Sequence, residues 1–172
     1  ELRSLEEVIE NADMFLGLSG PNVLKPASIK KMKSKPIIFA LANPSPEVMP
    51  ESARKAAPDA IIATGRSDFF NQVNNVLCFP FIFRGALDVE ATEINDEMQV
   101  ACIDAIAEIA QTTTSAEAAA AYQGESLTFG PEYLIPKPFD PRLSVVIPTA
   151  VAKAAMDSGV AKKPISDLES YK

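Results

Sequence analysis

Three short apolar runs in the first third of the chain each stop abruptly in small or amide-bearing residues. The run that begins at Met14 breaks into Gly17-Leu18-Ser19-Gly20-Pro21, and the run over 36–42 breaks into Asn43-Pro44-Ser45-Pro46. The run over 59–63 breaks into Thr64-Gly65-Arg66-Ser67. Buried runs of this length, bounded by turn signals, predict parallel strands covered on both faces. An amphipathic helix over 2–11 is predicted before the first strand. A short helix over 27–33, opened by Lys25-Pro26, follows it, with Pro just inside the helix start. A further short helix is predicted over 47–57. Alternation of strand and helix with short connections is the pattern of a parallel sheet. Ligands of open α/β sheets bind outside the carboxyl ends of the strands. The three strand ends, each with a polar landing, are therefore where function is expected.

The pattern changes after Val73. Asn74-Asn75 opens a stretch from Val76 to Phe83 that is too continuously apolar for a surface helix, so it is expected to be buried, with Pro80 kinking it or ending its first part. Asn95 is expected to cap a helix over 96–112, with acidic residues in its first turn. Met98, Cys102, Ala105, Ile106 and Ile109 make the apolar face of that helix at helical spacing. Ser115 is expected to cap a short Ala-rich helix over 116–122. Residues 124–142 are rich in Pro and Gly yet carry Phe129, Tyr133, Leu134, Ile135 and Phe139, so they should lie against the domain or under a neighbouring one. A helix over 144–158 should end at Gly159 in the usual C′ position. The organisation expected is a sheet domain over 1–93, helices and an apolar Pro/Gly-rich segment over 94–161, and a polar linker to a further domain over 162–172.

Composition narrows the function classes. The chain has 172 residues, of which 47% are hydrophobic, which is enough for a packed core. The formal charge of −7 argues against non-specific nucleic-acid binding, which depends on Lys and Arg neutralising phosphates. No apolar run reaches the length of a membrane span and no signal-peptide pattern is present. Cys78 and Cys102 sit in apolar contexts without metal-like spacing and read as buried thiols of a reducing, cytoplasmic compartment. The chain contains no His, so it carries no imidazole base, no His metal ligand and no Ser-His or Cys-His nucleophile system. It also lacks a Gly-rich dinucleotide turn of the G-x-G-x-x-G type. Either it is a different α/β fold, or it is the back half of a larger one.

The strand ends offer amides where charge is scarce. Asn presents a donor and an acceptor without charge and tolerates turn geometry. In Asn43-Pro44 the following Pro pushes Asn43 towards an extended conformation and limits where its side chain points. Asn74 and Asn75 are expected at the N-terminus of a buried helix, where free N–H groups and the dipole favour an anion. Singly, each Asn reads as a turn or helix cap. Three polar strand ends on one edge favour a ligand site.

The segments LGLSGPNVLKP, PIIFALANPSPE, AIIATGRSDFFNQVNNVLCFPFIFRGALD and GPEYLIPKPFDPRL resemble the bacterial malic enzymes, in the same order and over nearly the whole chain. The likeness is greatest to the NADP-dependent long form, which is fused to a phosphotransacetylase-like domain. The matching part is the C-terminal part of the malic enzyme region. The resemblance implies an α/β fold, the back half of a Rossmann-type doubly wound parallel sheet followed by C-terminal helices. It implies oxidative decarboxylation of malate to pyruvate and CO2 with reduction of NADP, NAD being the alternative. Gly17, Leu18, Ser19 and Gly20 are similar to the family's strand end beside the cofactor. Asn43 is similar to its amide near malate and the nicotinamide ribose, and Asn74 and Asn75 to its paired amides around substrate and nicotinamide.

The family's general-acid Tyr, general-base Lys and carboxylate cluster for Mg or Mn are implied to lie upstream, outside this chain, together with the Gly-rich phosphate turn. No catalytic residue and no metal ligand is therefore assigned here. Tyr122, Tyr133 and Tyr171 stand in the wrong contexts to replace the family's Tyr. Asp68, Asp88, Glu90 and Glu93 are the remaining carboxylates to weigh, with Asp88 and Glu90 read as solvent-facing or paired with Arg84. Arg66, just past a strand end, is a candidate for an anion or interface contact. The implied partners are malate and pyruvate, the N-terminal remainder of the enzyme, a second copy in a homo-oligomer, and a downstream phosphotransacetylase-like domain through which acetyl-CoA would regulate. A non-catalytic nucleotide-binding or regulatory α/β fragment is the alternative.

Overall fold

A computed structural model of the chain describes residues 3–112 and 127–172; the helix expected over 116–122 lies outside the described residues. The chain forms two compact units, Glu1–Val73 and Asn74–Lys172. The division falls where the strand pattern ends.

The first unit runs α1 (Leu5–Val8), β1 (Met14–Gly17), α2 (Pro26–Ile29), β2 (Ile37–Ala40), α3 (Pro50–Ala56), β3 (Ile61–Thr64). The strands are parallel in the order β1-β2-β3, and the register aligns Gly17, Ala40 and Thr64 in one row. The carboxyl ends of all three strands are thus level. Strands β1 and β2 are shorter than their apolar runs for a local reason. Beyond the ladder, the N–H groups of Ser19 and Ala42 turn away and donate to the Glu47 carboxylate at 2.8 and 3.1 Å. The helices are shorter too. Asn11 takes a φ of 60° just beyond α1, and left-handed backbone does not continue a helix.

The helices of this unit cover one face of the sheet. Ile38, Ala40 and Ile62 pack against Leu24, Ile29, Val48 and Ala53, so α2 and α3 lie on the same side. Two successive crossovers running in one direction across a parallel sheet put both helices on one face. Met14 and Leu16 point the other way and are 44% and 55% exposed. The apolar runs predicted cover on both faces; within this unit α2 and α3 supply it on one.

The second unit contains a 3-10 turn (Asn75–Leu77), α4 (Phe79–Asp88), α5 (Asp96–Gln111), α6 (Leu143–Asp157) and α7 (Leu168–Tyr171). Asn95 caps α5 as expected: its Oδ1 accepts the Met98 N–H at 3.1 Å. Met98, Cys102, Ala105 and Ile109 are buried on the face their spacing predicted. Helix α6 packs on both α4 and α5. Its approach to α4 is set by Gly85, where a Cβ would stand 2.6 Å from the Pro148 carbonyl oxygen. Gly159, at φ +78°, follows Ser158 and ends α6 in the predicted way.

Two readings of this region need correcting. Pro80 neither kinks nor ends a helix; it lies in the first turn of α4, where its missing N–H costs nothing. The stretch from Val76 to Phe83 is not buried throughout. Leu77 and Ile82 enter the core, while Phe79 and Phe83 remain 63% and 45% exposed and stack edge-to-face with centroids 5.2 Å apart. The Pro/Gly-rich segment does lie on the unit in part, since Tyr133 is buried and Ile135 packs on the core, but Phe139 is 80% exposed. Residues 160–171 also hold to this unit: the Lys163 N–H donates to the Val89 carbonyl at 2.9 Å, and the Tyr171 hydroxyl donates to Asp88. Among the described residues no helix is long and apolar enough to cross a membrane.

Candidate functional site

At the carboxyl ends of β1 and β2 lies a cavity of about 420 Å³ lined by residues 18–21 and 41–45. It contains Leu18, Ser19 and Gly20 from the first turn and Asn43 from the second, four of the residues that the strand-end pattern marked. Gly17, the last residue of β1, stands behind it. The Asn43–Pro44 peptide is cis. A Cβ at Gly20 would meet nothing within 4 Å, so this side of the cavity is open.

Glu47 organises the two turns. It is fully buried. Its Oε1 accepts the Ser19 N–H at 2.8 Å and, more weakly, the Ser19 hydroxyl at 3.4 Å; its Oε2 accepts the Ala42 N–H at 3.1 Å. The Asn22 and Leu24 N–H groups donate to the carbonyls of Pro46 and Glu47 at 3.2 and 3.0 Å, so main chain and side chain hold the same loop. Sequence reasoning placed Glu47 in the first turn of a helix and missed this role. Helix α3 starts later, at Pro50, and leaves Glu47 in the loop. The available signal was a lone carboxylate inside a Pro-rich turn that leads into apolar Val48-Met49.

The third strand end is closed by its own polar groups and does not line this cavity. Asn71 is buried at φ 54° and its amide donates to the Ile62 carbonyl at 2.9 Å. The Val73 N–H donates to the Thr64 carbonyl at 2.8 Å, and the Thr64 hydroxyl accepts the Arg66 N–H at 3.2 Å. Arg66 forks onto Asp68 at 2.8 and 2.6 Å and lies over the Phe69 ring. Its hydrogen bonds to Asp68 raise its pKa and lower that of Asp68. Its Nη1 also donates to the Pro44 carbonyl in the turn after β2, at 3.5 Å. The guanidinium is thus engaged by protein groups, which weakens its reading as an anion contact.

Asn74 and Asn75 open the second unit. The Asn74 Oδ1 accepts the Val76 N–H at 3.0 Å and caps the 3-10 turn. The anion-favouring dipole expected there is corrected: a turn of three residues sums little dipole, and α4 begins only at Phe79. Asn74 is half-buried and Asn75 exposed.

Asp88 and the two cysteines are engaged by neighbours in the second unit. Asp88 pairs with Arg84 and accepts from Tyr171; partial burial opposes its ionisation, but these two hydrogen bonds hold its pKa below the ordinary value. Cys102 donates to Cys78 with the sulfurs 3.4 Å apart, and burial, then this contact, pushes the Cys102 thiol up to about 12. Cys78 is half-buried, not fully buried as expected. Among the described residues no three His, Cys, Asp or Glu side chains come together to hold a metal.

The cavity has the volume of a small-ligand site, and Asn43 places an uncharged amide on its rim beside main-chain polar groups. The chain is similar to known proteins. The family described as "Malic enzyme, NAD binding domain" matches residues 1–122. The NADP-dependent malic enzyme of Salmonella typhimurium is 63% identical over 98% of this chain, and the NAD-dependent malic enzyme of Rhizobium meliloti is 60% identical over the same share. The chain spans 22% of the length of each. Among solved structures, malic enzyme from Entamoeba histolytica superposes with a TM-score of 0.81 at 37% identity, covering 98% of this chain and 32% of that one. Malic enzyme from Pyrococcus horikoshii gives 0.77 at 43% identity, over 93% and 34%.

Proposed function

Because the chain belongs to the malic enzyme family, matching its NAD-binding domain, we propose that it supplies the reactant-orienting part of an enzyme that converts malate to pyruvate and CO2. NADP, when bound, supplies the hydride acceptor. NADP is preferred over NAD because several relatives of high identity carry NADP in their names, although one of 60% identity is named as NAD-dependent. The observation that carries the reading is the cavity at the level ends of β1 and β2 with Asn43 on its rim.

Hydride transfer requires the substrate carbon and the acceptor ring to be held face to face, which is positioning work. Residues 18–20 form the side on which the cofactor rests, with Gly17 behind them. The Asn43 amide donates to one ligand oxygen and accepts from a ligand hydroxyl without adding a charge that would compete with a metal. Asn74 and Asn75 are assigned to substrate and nicotinamide on the same chemical ground. Proton transfer and Mg or Mn binding fall to segments outside this chain; a second copy in a homo-oligomer and a phosphotransacetylase-like domain are the further partners.

The test is malate-dependent reduction of NADP by the complete polypeptide in the presence of Mg²⁺ or Mn²⁺. Turnover with release of CO2 is expected. A complete polypeptide that binds the dinucleotide but never oxidises malate would overturn the reading in favour of a nucleotide-binding module.

A further inference from the structure

Glu47 is a fully buried carboxylate, and no Lys or Arg among the described residues pairs with it. Burying such a group is costly, and an apolar side chain of similar size would serve the core at lower cost. What offsets the cost here is a set of donors drawn from two places only. Oε1 takes the Ser19 N–H, beyond β1, and Oε2 takes the Ala42 N–H, one residue before Asn43. The space for the carboxylate exists because β1 ends in glycine: a Cβ at Gly17 would stand 2.5 Å from the Glu47 Cδ.

We propose that Glu47 is a positioning residue for the reaction: it ties the turn after β1 to the turn after β2 and thereby sets the Asn43 amide against the bound reactants. The proposal rests on the functional reading above. Its chemistry depends on both oxygens being acceptors. A Gln at this position keeps the shape but can accept through only one atom, so its NH2 group meets an N–H donor on one of the two turns. That turn is released while the fold is kept. A shift of about 1 Å in a group that orients reactants lowers turnover by about a hundredfold.

The experiment uses the complete enzyme and a double-mutant cycle of E47Q and N43A, with G17A as a second way of displacing the carboxylate. Each variant is read by kcat and KM for malate and for NADP and by its melting temperature. If Glu47 acts through Asn43, E47Q and G17A each lower kcat by tenfold or more, and the E47Q/N43A pair is within about twofold of N43A alone. Losses that multiply in the double variant would overturn the proposal and leave Glu47 a merely structural residue. So would full kcat in E47Q, or failure of both E47Q and G17A to fold. If N43A itself has wild-type kinetics, it is the reading of the pocket that fails, and the role of Glu47 falls with it.

Discussion

The pair Asp140–Arg142 gives the stability account its sharpest test, because it combines burial with a fork of hydrogen bonds. The Asp140 side chain is 2% exposed and that of Arg142 18%. Asp140 accepts the Arg142 main-chain N–H at 3.0 Å, the Nε–H at 3.0 and 3.2 Å, and an Nη2–H at 2.6 Å. Arg142 in turn donates from Nη1 to the Thr112 hydroxyl at 3.0 Å, so the pair links the end of α5 to the start of α6. D140N keeps the shape, removes the charge and turns an NH2 group towards guanidinium donors. Removing one partner of a buried pair costs about 3–5 kcal/mol, and the residual exposure of Arg142 places this case near about 3. With a urea m-value of about 2 kcal/mol/M, the midpoint should fall by about 1.5 M. The assay is urea unfolding followed by circular dichroism, with R142Q and the double variant completing a cycle in which the double costs less than the sum. A loss below about 0.5 kcal/mol for D140N, the size of an ordinary surface substitution, would refute the argument.

Two further outcomes follow from the same structure. N74D should keep the cap on the Val76 N–H, since a carboxylate accepts there as well as an amide, yet lower malate turnover in the complete enzyme by tenfold or more because the amide donor is lost; unchanged kinetics would remove Asn74 from the site. Burial, then the hydrogen bond to Asp88, pushes the Tyr171 hydroxyl up to about 12, above its unfolded value near 10. The folded chain therefore keeps this proton where the unfolded chain has lost it, so its contribution is complete below about pH 10 and is lost as pH rises towards about 12. Unfolding midpoints measured across that window should fall less steeply for Y171F than for the wild type; equal slopes would contradict the burial of this hydroxyl.

Local chemistry made much of the fold legible in the sequence. The strand runs, the Asn95 cap, the spacing of Met98, Cys102, Ala105 and Ile109, and the stop at Gly159 are each decided within a few residues of chain, and each stands where expected. What was not legible depends on long-range geometry. An apolar run does not say which faces will be covered, so Met14 and Leu16 read as buried although α2 and α3 lie on the other side. Phe79 and Phe83 look like core residues until α4 turns them outward. The site shows the same limit. Asn43 and residues 17–20 were visible as strand-end chemistry, whereas Glu47 was not, because its partner Ser19 lies 28 residues away in sequence.

The central claim is that the amide of Asn43 orients reactants at the strand ends. Its most direct test is single-turnover hydride transfer in the complete enzyme, measured with protiated and 2-deuterated malate for the wild type and N43A. The account predicts that N43A slows the hydride step by about a hundredfold and brings out the full isotope effect. A rate and isotope effect equal to those of the wild type would contradict it.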